Sequence, residues 1–131
     1  MWWDGGVTSR DALAGEVRAA AVAAGLAPRG AGGAAPVLEA GNDDLGPGRA
    51  YLAAMGRWAV PAWPVEHGGA GLGPEGLGVV QRALGAYAMP DLYPFAVGLA
   101  LVGPTLLVHG TPEQQARWLA PIARGDEIWC Q

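Results

Sequence analysis

Leu92-Tyr-Pro-Phe-Ala-Val-Gly-Leu-Ala-Leu-Val-Gly-Pro-Thr-Leu-Leu-Val108 runs for seventeen residues without a charge. A membrane span needs about 20 apolar residues, and Pro94, Gly98, Gly103 and Pro104 interrupt this one. The run therefore reads as a core helix, with a kink expected at Gly103-Pro104. Immediately after it, Thr111, Pro112 and Gln114 occupy the cap, first and third positions of a further helix. That is a capping box, in which side chain and backbone satisfy each other's free groups. Glu113 and Arg117 are spaced for an i,i+4 pair, and Arg124 suits the far end of the helix dipole. Past Gly125, residues 127–131 read as extended, the first strand of a further domain.

Upstream, Trp58-Ala-Val-Pro-Ala-Trp-Pro-Val-Glu-His-Gly-Gly-Ala-Gly-Leu-Gly73 holds too many prolines and glycines for a regular helix. Its large aromatics predict a loop packed down onto a core. Pro74 then opens a helix expected to run through Leu77, Val80, Ala83, Leu84 and Tyr87 to Met89, closed by Pro90. Gly48 to Trp58 reads as another helix, with Tyr51, Leu52, Met55 and Trp58 on one side. Thr8 or Ser9 can cap the first, from about Asp11 to Gly25, whose stripe is Leu13, Val17, Ala20, Ala21 and Ala24. Residues 27–46 read as a Gly/Ala/Pro-rich linker. The class is all-α, an up-and-down bundle of about five helices with a short C-terminal strand stub.

The 131 residues allow one domain. Net charge is −4, with eight arginines and no lysine. No basic stripe is present to neutralise a phosphate backbone, so nucleic acid is an unexpected partner. The missing lysine removes Walker and Schiff-base chemistry. A single cysteine, Cys130, excludes an internal disulfide framework and suits a cytoplasmic setting. The opening residues lack the basic and apolar regions of a signal peptide.

Gly71-Leu-Gly-Pro-Glu-Gly76 has dinucleotide-fingerprint spacing, but no strand precedes it, and it reads as a loop entering a helix. His67 and His109 have no metal-ligand partner at the usual spacings. Glu66 beside His67 makes no acid–base pair aimed at one atom. No catalytic constellation is present in the residues themselves.

Three pieces in register carry a family resemblance: Trp63-Pro-Val-Glu-His-Gly-Gly-Ala-Gly-Leu72, Val102-Gly-Pro-Thr-Leu-Leu-Val-His-Gly-Thr-Pro-Glu-Gln114 and Trp118-Leu-Ala-Pro-Ile-Ala-Arg-Gly-Asp-Glu-Ile-Trp-Cys-Gln131. Their order and spacing resemble the N-terminal helical domain of acyl-CoA dehydrogenases. The resemblance covers roughly Ala50 to Gln131. It divides the chain into a helix and linker (1–46), the helical domain (47–126) and the start of a middle β-domain (127–131).

The resemblance implies α,β-dehydrogenation of an acyl-CoA thioester in fatty-acid or lipid metabolism. A glutamate base takes the α proton, FAD takes the β hydride, and electrons pass to an electron-transferring flavoprotein. In the family the base, most of the FAD site and the CoA site follow the position of Gln131, so the resemblance implies a truncated, inactive domain or a split-enzyme subunit. A non-enzymatic helical module is the remaining alternative, and a homo- or hetero-oligomer is expected of the complete enzyme. Carried over by position, Gln131 and Trp129 approach the flavin, while Tyr93, Pro94, Val97, Gly98 and Leu101 form the tunnel-facing turn. The same five residues are equally compatible with plain core packing. No residue here is assigned a catalytic or metal-binding role.

Overall fold

The computed structural model describes residues 7–30 and 44–131. Five α-helices follow one another: α1 (Val7–Ala23), α2 (Gly46–Met55), α3 (Pro74–Leu84), α4 (Gly103–His109) and α5 (Pro112–Arg124). Among the described residues there is no strand, and residues 127–131 run without regular structure. A strand needs a ladder partner, and none stands beside this segment; the stub is an irregular tail.

Leu13, Val17 and Ala21 recur every four residues on α1 and are buried. They meet a complementary stripe on α3, namely Gly76, Val79, Val80 and Ala83. Tyr51, Leu52, Met55 and Trp58 from α2 and its following turn complete this first core, with Phe95. The second core is smaller, with Val60, Trp63, Leu119 and Ile122 at its centre. Leu99 packs against both. No charged side chain is among the buried residues described. The ion pairs Arg10–Glu75 (3.1 Å) and Arg57–Glu16 (2.9 Å) sit on the rim, exposed, where such pairs contribute at most about 1 kcal/mol.

Several boundaries depart from the sequence reading. The first helix runs from Val7, upstream of the expected start near Asp11, so Thr8 and Ser9 fall within it. Its C-terminus is as expected: Gly25 is left-handed, its N–H donating to the Val22 carbonyl and that of Leu26 to Ala21. α2 stops at Met55, because Gly56 takes a positive φ and a 3₁₀ turn carries on to Trp58. α3 ends at Leu84, short of Met89. Backbone bonds from Arg29 to Ala86 and from Ala88 to Ala27, both 2.8 Å, pull Tyr87 into an isolated antiparallel bridge with Pro28. The first part of the expected linker is thus tied to the body, and residues 31–43 of it lie outside the described residues.

The uncharged run is helical, but not uniformly so. A 3₁₀ turn at Tyr93–Phe95 leads through Ala96 and Val97 into a π-turn at Gly98–Val102 and then α4. The expected kink at Gly103-Pro104 is realised as this widened turn, closed by the Gly103 N–H donating to the Gly98 carbonyl. Trp63, in the proline-rich loop, lies on the turn so closely that a Cβ on Gly103 would overlap its ring. That loop is packed down as its aromatics predict.

The capping box on α5 is present in full: Gln114 N–H donates to Thr111 Oγ1 at 3.2 Å and Thr111 N–H to Gln114 Oε1 at 2.9 Å. The i,i+4 pair is not. Arg117 stacks 3.9 Å over Trp118 and pairs with Glu127 at 3.1 Å instead. Glu113 is held below the usual carboxylate range by a hydrogen bond to its own backbone and a second to Thr111. At the other end, Arg49 Nε donates to the Gly125 carbonyl at 2.9 Å.

Two measurements test this packing. Gly103→Ala should cost about 1–3 kcal/mol by overpacking, whereas Gly15→Ala, whose Cβ would meet nothing within 4 Å, should gain about 0.5–1 kcal/mol; urea titration separates the two signs. Glu113 has a depressed pKa in the fold, so its contribution is present above its unfolded pKa and disappears as pH falls through the folded one. Glu113→Gln should therefore lower the denaturation midpoint at neutral pH and match the parent in acid.

Candidate functional site

An open groove of about 240 Å³ lies between the composite helix of Tyr93–His109 and the C-terminal tail. Its lining is Val97, Leu101, Val102, Thr105, Leu106, Cys130 and Gln131. Five of these come from one helix, on rows spaced by four (97, 101, 105 and 102, 106), and the tail supplies the other two. Leu101 is 48% exposed although it stands in the most apolar stretch of the chain. Tyr93, Val108 and Ile128, on the same helix and tail, are also exposed, as are Val22 on α1 and Val65 in the proline-rich loop. Pockets that enclose small molecules run to roughly 300–1,000 Å³. The groove has the size and openness of one wall of such a pocket.

The tail is held to the groove by packing more than by charge. Asp126 N–H donates to the Pro121 carbonyl at 2.9 Å, and Arg124 pairs with Asp126 at 2.8 Å. Trp129 meets Trp118 edge-on, with centroids 5.2 Å apart and planes at 83°, a geometry worth about 0.5–1.5 kcal/mol beyond its area. Trp129 Nε1 is buried with no hydrogen-bond partner. A buried donor left unpaired costs about 1–3 kcal/mol.

The residues singled out from sequence separate into three groups. Val97, Leu101 and Gln131 line the groove together. Gly98 and Trp129 meet behind it: a Cβ on Gly98 would stand 3.2 Å from Ile122 Cγ2 and 3.4 Å from Trp129 Cδ1. Gly98 thus gives the core room for close approach and does not open onto the groove. Tyr93, 70% exposed, and Pro94 are outside the lining. Val102, Thr105, Leu106 and Cys130 belong to the site without having been singled out. Their signal was helical spacing, with Thr105 on the row of Val97 and Leu101 and with Val102 and Leu106 on the adjacent row, together with the adjacency of Cys130 to Gln131.

The other sequence candidates are accounted for locally. Gly71 N–H donates to the Trp63 carbonyl and Leu72 N–H to Pro61, so these two amides of the Gly-rich turn are spent on the loop. A second depression, lined by Arg57 and Arg124 with small residues, has both guanidinium groups turned onto carboxylates. Among the described residues no three His, Cys, Asp or Glu side chains gather as metal ligands. No described helix is long and apolar enough to cross a membrane.

Residues 36–126 match the model of the acyl-CoA dehydrogenase N-terminal domain. The chain belongs to the acyl-CoA dehydrogenase family and carries its N-terminal helical domain. Acyl-CoA dehydrogenase IpdE1 of Mycolicibacterium smegmatis is 42% identical over 81 residues, which is 62% of this chain and 20% of that protein. The ChsE4-ChsE5 complex from Mycobacterium tuberculosis aligns at a TM-score of 0.57 and 28% identity, over 92% of this chain and 29% of that one. A variant of the steroid ACAD Tcur3481-Tcur3483 aligns at 0.52 and 28% identity, over 92% and 30%. The chain spans about a fifth of the length of the curated relative it matches.

The unpaired indole yields a prediction. Trp129→Phe keeps the ring against Trp118 and removes the buried orphan donor. The variant should be as stable as the parent or about 1 kcal/mol more so by urea titration; a loss of stability would mean that the indole N–H is satisfied in solution.

Proposed function

We propose that this chain works as one wall of the acyl-chain tunnel in a flavin-dependent acyl-CoA dehydrogenase, the remainder of the enzyme supplying the base, the CoA site and most of the flavin site. The observation that carries this is the groove: Val97, Leu101, Val102 and Leu106 offer an aliphatic surface that ends at Gln131. An acyl chain laid there exchanges water for hydrocarbon, at roughly 0.8 kcal/mol per buried CH₂. The side chains of Val97 and Leu101 orient the acyl group and exclude water, and Thr105 and Gln131 leave the groove two polar positions.

The tail fits an aromatic cofactor on one count. Gln131 offers an amide beside the groove and Trp129 a buried indole donor that nothing in the fold uses. These two residues would hold FAD from this side. Bound FAD would accept the hydride from the acyl β-carbon, and an electron-transferring flavoprotein is the family's usual acceptor. No residue of this chain is assigned a proton transfer.

A second reading is favoured by one comparison. The similar ChsE4-ChsE5 structure is a complex of two named components, which favours a hetero-oligomer in which this domain works beside a second, different chain. The similarity to a steroid ACAD makes a steroid side-chain thioester a candidate substrate beside a fatty acyl thioester.

Purified alone, the chain should retain no flavin absorbance and oxidise no acyl-CoA. Supplied with the remaining domains it should do both, and Leu101→Glu should then lower kcat/KM for a long-chain acyl-CoA by at least about tenfold. Flavin held by the isolated chain, or a complemented enzyme indifferent to Leu101→Glu, would overturn the proposal.

A further inference from the structure

We infer that Arg49, on α2 and outside the groove, is a positioning residue: through the Gly125 carbonyl it aims the C-terminal tail so that Gln131 stands at the groove. Its consequence for FAD rests on the reading of Gln131 proposed above, and the placement of the tail does not. Arg10, Arg57, Arg117 and Arg124 each turn a guanidinium group onto a carboxylate. Arg49 instead donates from Nε to a main-chain carbonyl 76 positions away, at 2.9 Å. That carbonyl belongs to the residue from which the tail departs.

The peptide between Gly125 and Asp126 is held at both ends. Its N–H donates to the Pro121 carbonyl of α5 at 2.9 Å, and its C=O accepts from Arg49. Gly125 takes a left-handed φ of 71°, a region glycine enters without steric cost. A Cβ there would stand 2.8 Å from Leu52 Cδ1 and 3.0 Å from Phe95 Cε1, so the turn is pressed onto the first core. Gly48, next to Arg49, packs its bare backbone on Phe95 as well. α2 thus supplies both the surface on which the chain turns, at Leu52, and the donor that fixes the plane of the turn, at Arg49.

Beyond Asp126 the tail forms no hydrogen bond between backbone groups among the described residues. Its route is set by the plane from which it starts and by two side-chain contacts, Arg117–Glu127 and Trp118–Trp129. Without Arg49 the starting plane would be held by its N–H alone, on a glycine whose rotation no Cβ restricts. Residues 126–131 can extend by roughly 20 Å, so a modest swing at Gly125 carries Cys130 and Gln131 out of the groove they line.

Two substitutions separate the donor from the charge. Glutamine hangs its Nε2 from Cδ, as arginine does its Nε, whereas methionine keeps the length and has no donor. Arg49 is an exposed residue, so neither change burdens a core. The chain's single cysteine, Cys130, is exposed and lines the groove, and a nitroxide attached to it broadens the amide NMR signals of residues near it. In the parent, Val97, Leu101 and Thr105 should be broadened. Arg49→Gln should keep that pattern, and Arg49→Met should lose most of it with circular dichroism unchanged. Supplied with the remaining domains, Arg49→Met should weaken FAD retention by the same factor as Gln131→Ala, and the double variant no further.

If Arg49→Met lowers the urea midpoint but leaves the broadening at the parent level, the bond serves stability alone and the inference is overturned. Loss of the pattern in Arg49→Gln as well would make charge the cause and overturn it too, as would a parent whose groove amides stay sharp. If the broadening behaves as expected but Gln131→Ala retains FAD like the parent, the cofactor reading of Gln131 fails and the placement of the tail by Arg49 stands.

Discussion

The contact between the Trp63 ring and the bare backbone of Gly103 is the constraint around which this domain is arranged. Trp63 sits in a loop whose only helical piece is a 3₁₀ turn at Val65–His67, yet it is buried, and its carbonyl receives the Gly71 N–H at 2.9 Å. Its ring occupies the space a side chain at Gly103 would fill. This fixes how near the loop comes to the composite helix, and that separation sets the room left for Val60, Leu119 and Ile122. Interiors packed to crystal-like density do not absorb such a change at one point alone.

From that constraint follows a division of labour around the helix. Its inner side is built from glycines and from Phe95, wedged where a Cβ on Gly48 or Gly125 would meet it. Its outer side carries the exposed Leu101 and Val108. Backbone proximity is spent on the core side, and the branched side chains stand on the other. Charge has a minor part throughout. The four ion pairs among the described residues all join groups that are at least half exposed on one side.

How much of this could be read from the chain depended on whether the deciding interaction was local. The capping box of Thr111 and Gln114 involves neighbours four residues apart at most, and it is present as read. The stripes on α1 and α3 follow from helical period alone. The end of α3 was misjudged because its cause lies far away in sequence, at Ala27 and Arg29. The Glu113–Arg117 pair failed for a nearer reason: Arg117 stacks on the adjacent Trp118 and pairs with Glu127 ten residues on, a partner helical spacing does not reveal. At the groove, Gly98, Gly103 and Pro104 were legible as a disturbance of the helix, but a break, a kink and a widened turn share that signature. Which of them forms is decided by Trp63 and Ile122 pressing from the other side. Trp129 illustrates the limit most plainly, since no sequence pattern announces an indole whose N–H will be buried alone.

The two cores share Leu99 and little else, and this bears on the order in which the chain can find its structure. The composite helix and α5 are joined across Gly110 and Thr111, so closing them requires a very short loop and a small loss of chain entropy. α1 and α3 meet across some sixty residues, as the Arg10–Glu75 pair shows. Proteins rich in local contacts fold faster than those that must close long loops. The C-terminal hairpin is therefore the natural nucleus, and α1 the last helix to be collected. A nascent copy of this domain leaves its first helix waiting until nearly two-thirds of these 131 residues have been made.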